Sequence, residues 1–260
     1  MNELDDRQRA LREAFIGLRG YWAPFWEDLL RLDPAFFEAY LDFSGVPWRE
    51  GGLPAKVKEL IYIAVDAATT HLYEPGVRLH IRNALKHGAI REEILEVLQL
   101  AAAVGVHSCT FGVPLLVEEL RQAGVADPVP TGPLSVRQEA LKRAFAELRG
   151  FWTPVWEDIL RLTPEFLAAY MQFSSLPWRG GPLEPKVKEL IYIAVDAATT
   201  HLYEPGLRVH MRNALQRGAT REEILEVLEL VSVIGMHSCA LGVPVLLEEL
   251  TKGPQPPETP

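Results

Sequence analysis

The sequence predicts an all-α protein built from two similar helical units, and three observations carry that expectation. The first is duplication: Arg7-Gln8 through Leu120 recurs as Arg137-Gln138 through Leu250 at a constant offset of 130 residues, without a gap. The stretch KVKELIYIAVDAATTHLYEPG is identical at 56–76 and 186–206. The second is apolar spacing at the helical period, bounded by residues that start and stop helices. The third is that no segment alternates apolar and polar residues as a half-buried strand requires. A period this long marks a domain-sized unit rather than a solenoid repeat of roughly 20–50 residues. Two such units are expected to pack about a pseudo-twofold axis, as subunits of a symmetric dimer do.

The elements follow in order. Leu11, Ala14, Phe15 and Leu18 form one helical stripe that Gly20 stops. Asp33 is an N-cap followed by Pro34 at the first helical position, opening a helix over 35–43. Pro54 opens a long helix to Thr70 or His71, and Pro75 opens the next, which ends at Gly88. Thr220-Arg221-Glu222-Glu223 is a capping box at the start of a helix to Val233; Ile90 replaces that threonine in the first copy, which removes the side-chain cap. A last helix is expected from Pro114 to Leu120. The chain thus divides into a first unit at 1–122, a linker at 123–134 rich in proline and glycine, a second unit at 135–252, and a proline-rich tail at 253–260 expected to be disordered.

Composition narrows the function. The 260 residues are 48% hydrophobic with a net charge of −9, which suits a folded core and argues against nucleic acid, whose binding calls for a clustered basic surface. The acidic start Met1-Asn2-Glu3-Leu4-Asp5-Asp6 does not read as a signal peptide, and no run is expected to span a membrane. One cysteine per copy, Cys109 and Cys239, is no disulfide framework and fits a reducing, cytoplasmic compartment.

Duplication supplies a filter, because a residue that changes between copies is a poor candidate for shared chemistry. Of seven histidines, six form pairs at the repeat offset: His71/His201, His80/His210 and His107/His237. His87 is unpaired, since Arg217 takes its place in the second copy, and reads as surface. Imidazole exchanges protons near neutral pH and is the commonest metal ligand. About two-thirds of all positions match between copies, so pairing by shared ancestry with a packed, hydrogen-bonded histidine is the plainer account of each one singly.

The junction Thr69-Thr70-His71-Leu72-Tyr73-Glu74-Pro75-Gly76 lies where one helix ends and another begins, so its side chains can face a pocket. Glu74, with its twin Glu204, is a candidate acid or base near His71 or His80; the competing account is an i,i+4 ion pair with Arg78. His80 lies on the inward Val77/Ala84 face of its helix. Glu59, Tyr62, Asp66 and Thr70 share a stripe of an otherwise apolar helix, where a carboxylate must be paired or its pKa rises. Asp66 is expected to be structural there, and Glu59 stands evenly between orienting a histidine and tying helices together. Gly105-Val106-His107-Ser108-Cys109 invites a thiolate reading, but a small buried residue on an apolar helix accounts for Cys109 better. Trp22, Trp26 and Trp48, like Trp152, Trp156 and Trp178, read as core.

With Lys58-Glu59-Leu60-Ile61 and then His80-Ile81-Arg82-Asn83-Ala84-Leu85, the chain resembles the carboxymuconolactone decarboxylase family of the alkylhydroperoxidase D-like superfamily. His210-Met211-Arg212-Asn213-Ala214-Leu215 repeats the run, and Gly88-Ala89 with Arg91-Glu92-Glu93-Ile94, like Gly218-Ala219 with Arg221-Glu222-Glu223-Ile224, resembles the family's turn into its next helix. The resemblance covers most of each copy. It implies that His80 and His210 match the functional histidine and that Glu59 and Glu189 match the helix glutamate. It also implies assembly of units into a ring, so that a trimer of this duplicated chain imitates a hexamer of single units. The peroxidase branch carries a Cys-x-x-Cys pair where this chain has Tyr73 and Gly76, or Tyr203 and Gly206, so that chemistry is not expected.

The expected protein is therefore a cytoplasmic homo-oligomer, a trimer, acting on a small molecule with no nucleic-acid or membrane partner. Its expected activity is a cofactor-independent lyase or isomerase working on a small carboxylated or lactone-type compound. His80 or His210 would shuttle a proton, with Glu59 or Glu74 (Glu189 or Glu204) assisting, and with His71, His107, His201 and His237 as further candidates. The alternatives are a divalent-metal site in which His71, His80 and His107 converge with a carboxylate, and a non-catalytic binding or assembly protein on the same fold.

Overall fold

The computed structural model describes residues 3–252; the tail at 253–260 lies outside the described residues. The first repeat forms α1 (Asp6–Arg19), α2 (Pro24–Leu32), α3 (Pro34–Arg49), α4 (Ala55–Ala67), α5 (Glu74–Lys86), α6 (Arg91–Ala103) and α7 (His107–Gln122). The second repeats them as α8 (Val136–Arg149), α9 (Pro154–Leu162), α10 (Pro164–Gly180), α11 (Pro185–Ala197), α12 (Glu204–Gln216), α13 (Arg221–Ser232) and α14 (His237–Lys252). There is no strand among the described residues.

Local chemistry explains the boundaries. Asp5 accepts from the Gln8 amide at 2.7 Å to start α1, and Gly20 ends it at φ 72°, a left-handed turn that glycine adopts freely. Asp33 accepts from the Phe36 amide at 2.9 Å and starts α3, which runs past its expected end to Arg49 with Pro47 inside. At Ile90 half of a capping box survives, because Glu93 still accepts from the Ile90 amide at 2.9 Å. The last helix begins at His107, not at Pro114, and carries Pro114 within it. Proline there removes one backbone bond but does not end a helix that is held by its neighbours. A short 3₁₀ turn, Val104–Val106 or Val233–Met236, joins that helix to the one before it.

The two repeats interleave. Helices α4 and α11 pack on each other at the centre of one core cluster that draws Leu60, Ile61, Ile63, Leu190, Ile191 and Ile193 from both copies, all fully buried. Truncating any of these would cost about 2–5 kcal/mol. Each C-terminal helix then crosses to the other copy: α14 packs on α2, and α7 on α9. Cys239 and Val243 thereby join the cluster around Phe15 and Phe37, while Cys109 and Val113 join the one around Phe145 and Trp156.

Two reciprocal buried ion pairs lock this exchange. Lys58 meets Glu226 at 2.8 Å and Lys188 meets Glu96 at 2.6 Å, with every partner at least nine-tenths buried. Glu226 also accepts from the amides of Gly52 and Leu53, and Glu96 from that of Leu183. A Cβ at Gly51 would strike the Glu226 carboxylate.

The stretches 91–122 and 221–252 are long and apolar enough by composition to cross a membrane, contrary to the expectation that no run is. Their first halves, with Val97, Leu100, Val227 and Leu230, are instead core of the helical assembly.

Candidate functional site

The buried helix α4 aims two carboxylates at one place. Glu59 and Asp66 are both fully buried. Glu59 Oε2 lies 2.6 Å from His80 Nδ1, and the imidazole stacks on the Tyr62 ring at 4.5 Å. A carboxylate on Nδ1 fixes the tautomer, with the proton there and Nε2 as the free acceptor. That Nε2 points back toward Asp66, 3.9 Å from Oδ2.

Asp66 receives two further histidines. His71 Nε2 stands 3.8 Å from its Oδ1 and His237 Nδ1 stands 3.7 Å from the same oxygen, while the two imidazoles approach each other to 2.8 Å. Neither oxygen of Asp66 accepts a hydrogen bond. Burial, and then the Glu59 charge, push its carboxyl up to about 8, so it is protonated at neutral pH. Burial, and then His71 and His80, push His237 down to about 3, and burial alone lowers His71. Tyr73 stacks on His237 at 4.0 Å.

Backbone geometry makes this convergence possible. The turn after α4 closes with Tyr73 N–H on the Asp66 carbonyl at 2.8 Å and places Leu72 at φ 49°, a left-handed conformation that costs a leucine about 1–2 kcal/mol. Gly76 lets the start of α5 press on Asp66, because a Cβ there would collide with Oδ2.

The second copy builds a twin from Glu189, Asp196, His201, His210 and His107. Glu189 Oε2 lies 2.7 Å from His210 Nδ1, and His201 Nε2 lies 2.9 Å from His107 Nδ1. His107 Nδ1 is 3.5 Å from Asp196 Oδ1. Burial pushes Asp196 up to about 8, and burial followed by His201 and His210 pushes His107 down to about 3.

Three of the expected groupings change. His107 does not join His71 and His80; it crosses to the second site, and His237 takes its place in the first, because the C-terminal helices exchange. Glu74 and Glu204 lie outside both sites: they are exposed and bonded to Arg78 and Arg208 at 2.7 Å, the i,i+4 pair that competes with a catalytic role. Asp66, expected to be structural, gathers His71, His80 and His237, and its twin Asp196 gathers His107 and His201. Tyr73 and Tyr203, which the sequence does not mark as site residues, stack on His237 and His107. Their paired occurrence beside His71 and His201 was the available signal. Cys109 and Cys239 remain free thiols packed in the flanking aromatic clusters.

Asp66, His71 and His237, and likewise Asp196, His201 and His107, present one ligand atom each within 4.8 Å of one another. Two imidazole nitrogens and a buried carboxylate with both oxygens free of hydrogen bonds suit a divalent transition metal.

Residues 34–118 and 164–237 match the carboxymuconolactone decarboxylase family. The chain belongs to that family. A crystal structure from Burkholderia xenovorans LB400, provisionally named a gamma-carboxymuconolactone decarboxylase subunit, is 48% identical. It superposes with a TM-score of 0.90 over 97% of this chain and 100% of that one. An uncharacterised protein of Cupriavidus necator is 36% identical over 72 residues, 28% of this chain; the match spans 62% of that relative's length. In this carboxymuconolactone decarboxylase family member, each matched segment contains one hydrogen-bonded glutamate–histidine pair, Glu59 with His80 and Glu189 with His210.

Proposed function

We propose that the protein is a decarboxylase-like lyase that acts on a small carboxylated or lactone-type compound through histidine acid/base chemistry. The observation that carries this reading is the buried Glu59–His80 pair, whose imidazole lines a cavity of about 580 Å³ together with Tyr73 and His237. Loss of CO₂ leaves the electron pair of the broken C–C bond on the substrate, where an adjacent carbonyl holds it as an enolate. The imidazolium of His80, stabilised by Glu59, then delivers its Nε2 proton to that carbon, and solvent restores the proton. Asp66, protonated at neutral pH, is a second proton source 3.9 Å from Nε2. The family membership and the Burkholderia structure's name support the decarboxylase class.

The test is the double variant His80→Ala/His210→Ala, assayed against lactones and small carboxylic acids. A fall of about 10²–10⁴-fold with the assembly intact is expected. A folded double variant with full activity would overturn the reading.

A metal-dependent reaction is the second reading, favoured by the free oxygens of Asp66 among three imidazoles. A bound divalent cation would supply Lewis-acid stabilisation of the enolate. Asp66, His71 and His237 would hold it, with His80 oriented beside it by Glu59. Metal analysis of untagged protein, with activity followed through chelation, separates the two: a stoichiometric metal whose removal abolishes turnover selects the second. The half-buried thiols Cys109 and Cys239 fit a reducing, cytoplasmic setting.

A further inference from the structure

The two sites share their histidines and carboxylates but not their surroundings. Arg19, the last residue of α1, is 5% exposed and lines the first cavity beside His80. Its guanidinium lies 4.7 Å from the Trp48 ring centroid and 5.5 Å from that of Tyr62, and neither Nε nor Nη1 has a hydrogen-bond partner. Both are closed off from solvent, which leaves Nη2, without a hydrogen bond of its own, as the Arg19 donor open to a carboxylate. A buried cation with idle donors is costly unless something else fills them. Around it the cavity wall carries Trp22, Phe25, Trp26, Tyr40 and Met236; Asp28, Arg78 and Arg82 also line the cavity, and Arg78 is paired with Glu74.

The twin differs at each of these points. Arg149 gives its Nη2 to the Ser174 hydroxyl at 2.5 Å and to the Ser174 carbonyl at 3.3 Å. The cavity beside His210 holds about 100 Å³, against about 580 Å³ in the first site. Phe151, Thr153 and Val155 stand on its wall where the first site has Tyr21, Ala23 and Phe25. Thr110 reaches in from the other repeat to bond the Tyr203 hydroxyl at 2.6 Å, and Ala240 at the equivalent place has no hydroxyl. Arg217 bonds Glu189 at 3.2 Å, whereas its counterpart His87 is exposed and Glu59 has no such cation.

The structure assigns to the first site alone the binding of a carboxylate that bears an aromatic or similarly flat apolar ring, with Arg19 as the anion-binding residue. This deepens the decarboxylase reading and rests on it for the substrate's place beside His80. The second site, where Ser174 takes the Nη2 of Arg149 and the cavity beside His210 is about one-sixth as large, keeps the framework without that ligand.

Calorimetric titration of the intact oligomer with benzoate, and with benzamide as its neutral isostere, tests the assignment. Benzoate is expected to bind once per chain and at least about tenfold more tightly than benzamide. Arg19→Met should erase that preference, and Arg149→Met should leave it. Equal binding of the two compounds, two equivalent benzoate sites per chain, no saturable benzoate binding, or an unaltered Arg19→Met variant would each overturn the proposal. If Arg19→Met fails to fold, the wild-type stoichiometry and the benzoate-to-benzamide ratio still decide it. Benzoate selectivity in a protein that keeps turnover without His80 and His210 would refute the proton-transfer reading and leave this one standing. Turnover that needs His80 without charge-selective binding would do the reverse.

Discussion

His71 and His237 are separated by 166 positions in the chain, yet their ring nitrogens meet at 2.8 Å. His107 and His201, 94 positions apart, meet at 2.9 Å in the twin. Neither repeat therefore holds a complete site, and the C-terminal helix of each copy supplies a histidine to the other.

This pairing predicts which variants couple. His80→Ala and His237→Ala strike the same site, so their combination should cost little more in kcat/KM than the worse of the two alone. His107 belongs to the second site, so His107→Ala should leave the turnover that depends on His80 in place. Additivity between His80 and His237 would contradict the composite site.

Stability of the metal-free protein should fall as pH rises from about 6.5 to about 8. Asp66 and Asp196 are raised to about 8 in the fold, so between the unfolded carboxyl value and about 8 the native state holds protons that the unfolded chain has lost. Their contribution falls as pH rises, by up to about 1.4 kcal/mol per pH unit for each aspartate. His107 and His237 are lowered to about 3, and His71 and His201 are lowered as well; here the unfolded chain takes up protons first, so the histidine contribution falls as pH drops below about 6.5 and offsets the aspartates on that side. Denaturant melts across pH 4–9 check both limbs, and Asp66→Asn/Asp196→Asn should flatten the alkaline one.

Breaking the inter-repeat lock should be expensive. Lys58→Met leaves Glu226 buried without its cation, a loss expected to cost about 3–5 kcal/mol in chemical denaturation. Gly51→Ala should also destabilise, because the new methyl meets the same carboxylate. A cost below about 1 kcal/mol for Lys58→Met would show the pair to be incidental.

A trimer is the expected assembly, with a mass about three times 29.1 kDa by light scattering. Helices α7 and α14 support association: Phe111 and Leu115 on one, and Leu241 and Val245 on the other, are about half or more exposed at helical spacing. Phe111→Asp with Leu241→Asp should give smaller species. A stable wild-type monomer at micromolar concentration would contradict the assembly.

Local signals carried much of this architecture. Gly20, Asp33-Pro34 and the Thr220 box mark helix ends through backbone chemistry that acts within four residues, and Glu59 with His80 lie one above the other on inward faces. The exchange of α7 and α14 was not legible, because matching positions say that two sites exist but not which copy supplies each histidine. Asp66 looked structural because a buried carboxylate on an apolar helix ordinarily finds a donor, and here it finds none. Arg19 drew no notice because its neighbours in sequence are ordinary helix-end residues; only the fold walls it in with tryptophan and tyrosine. His87 reads as surface because Arg217 replaces it in the second copy, and that same replacement places a cation on Glu189.

The crossing of α7 and α14 also sets how the two halves of this gene can drift apart. A substitution at Thr110 or Val106 reshapes the chamber of the other half, and one at Ala240 or Met236 does the same in return. Each chamber therefore takes its wall from both halves of the chain, and a change in either half is felt in two chambers.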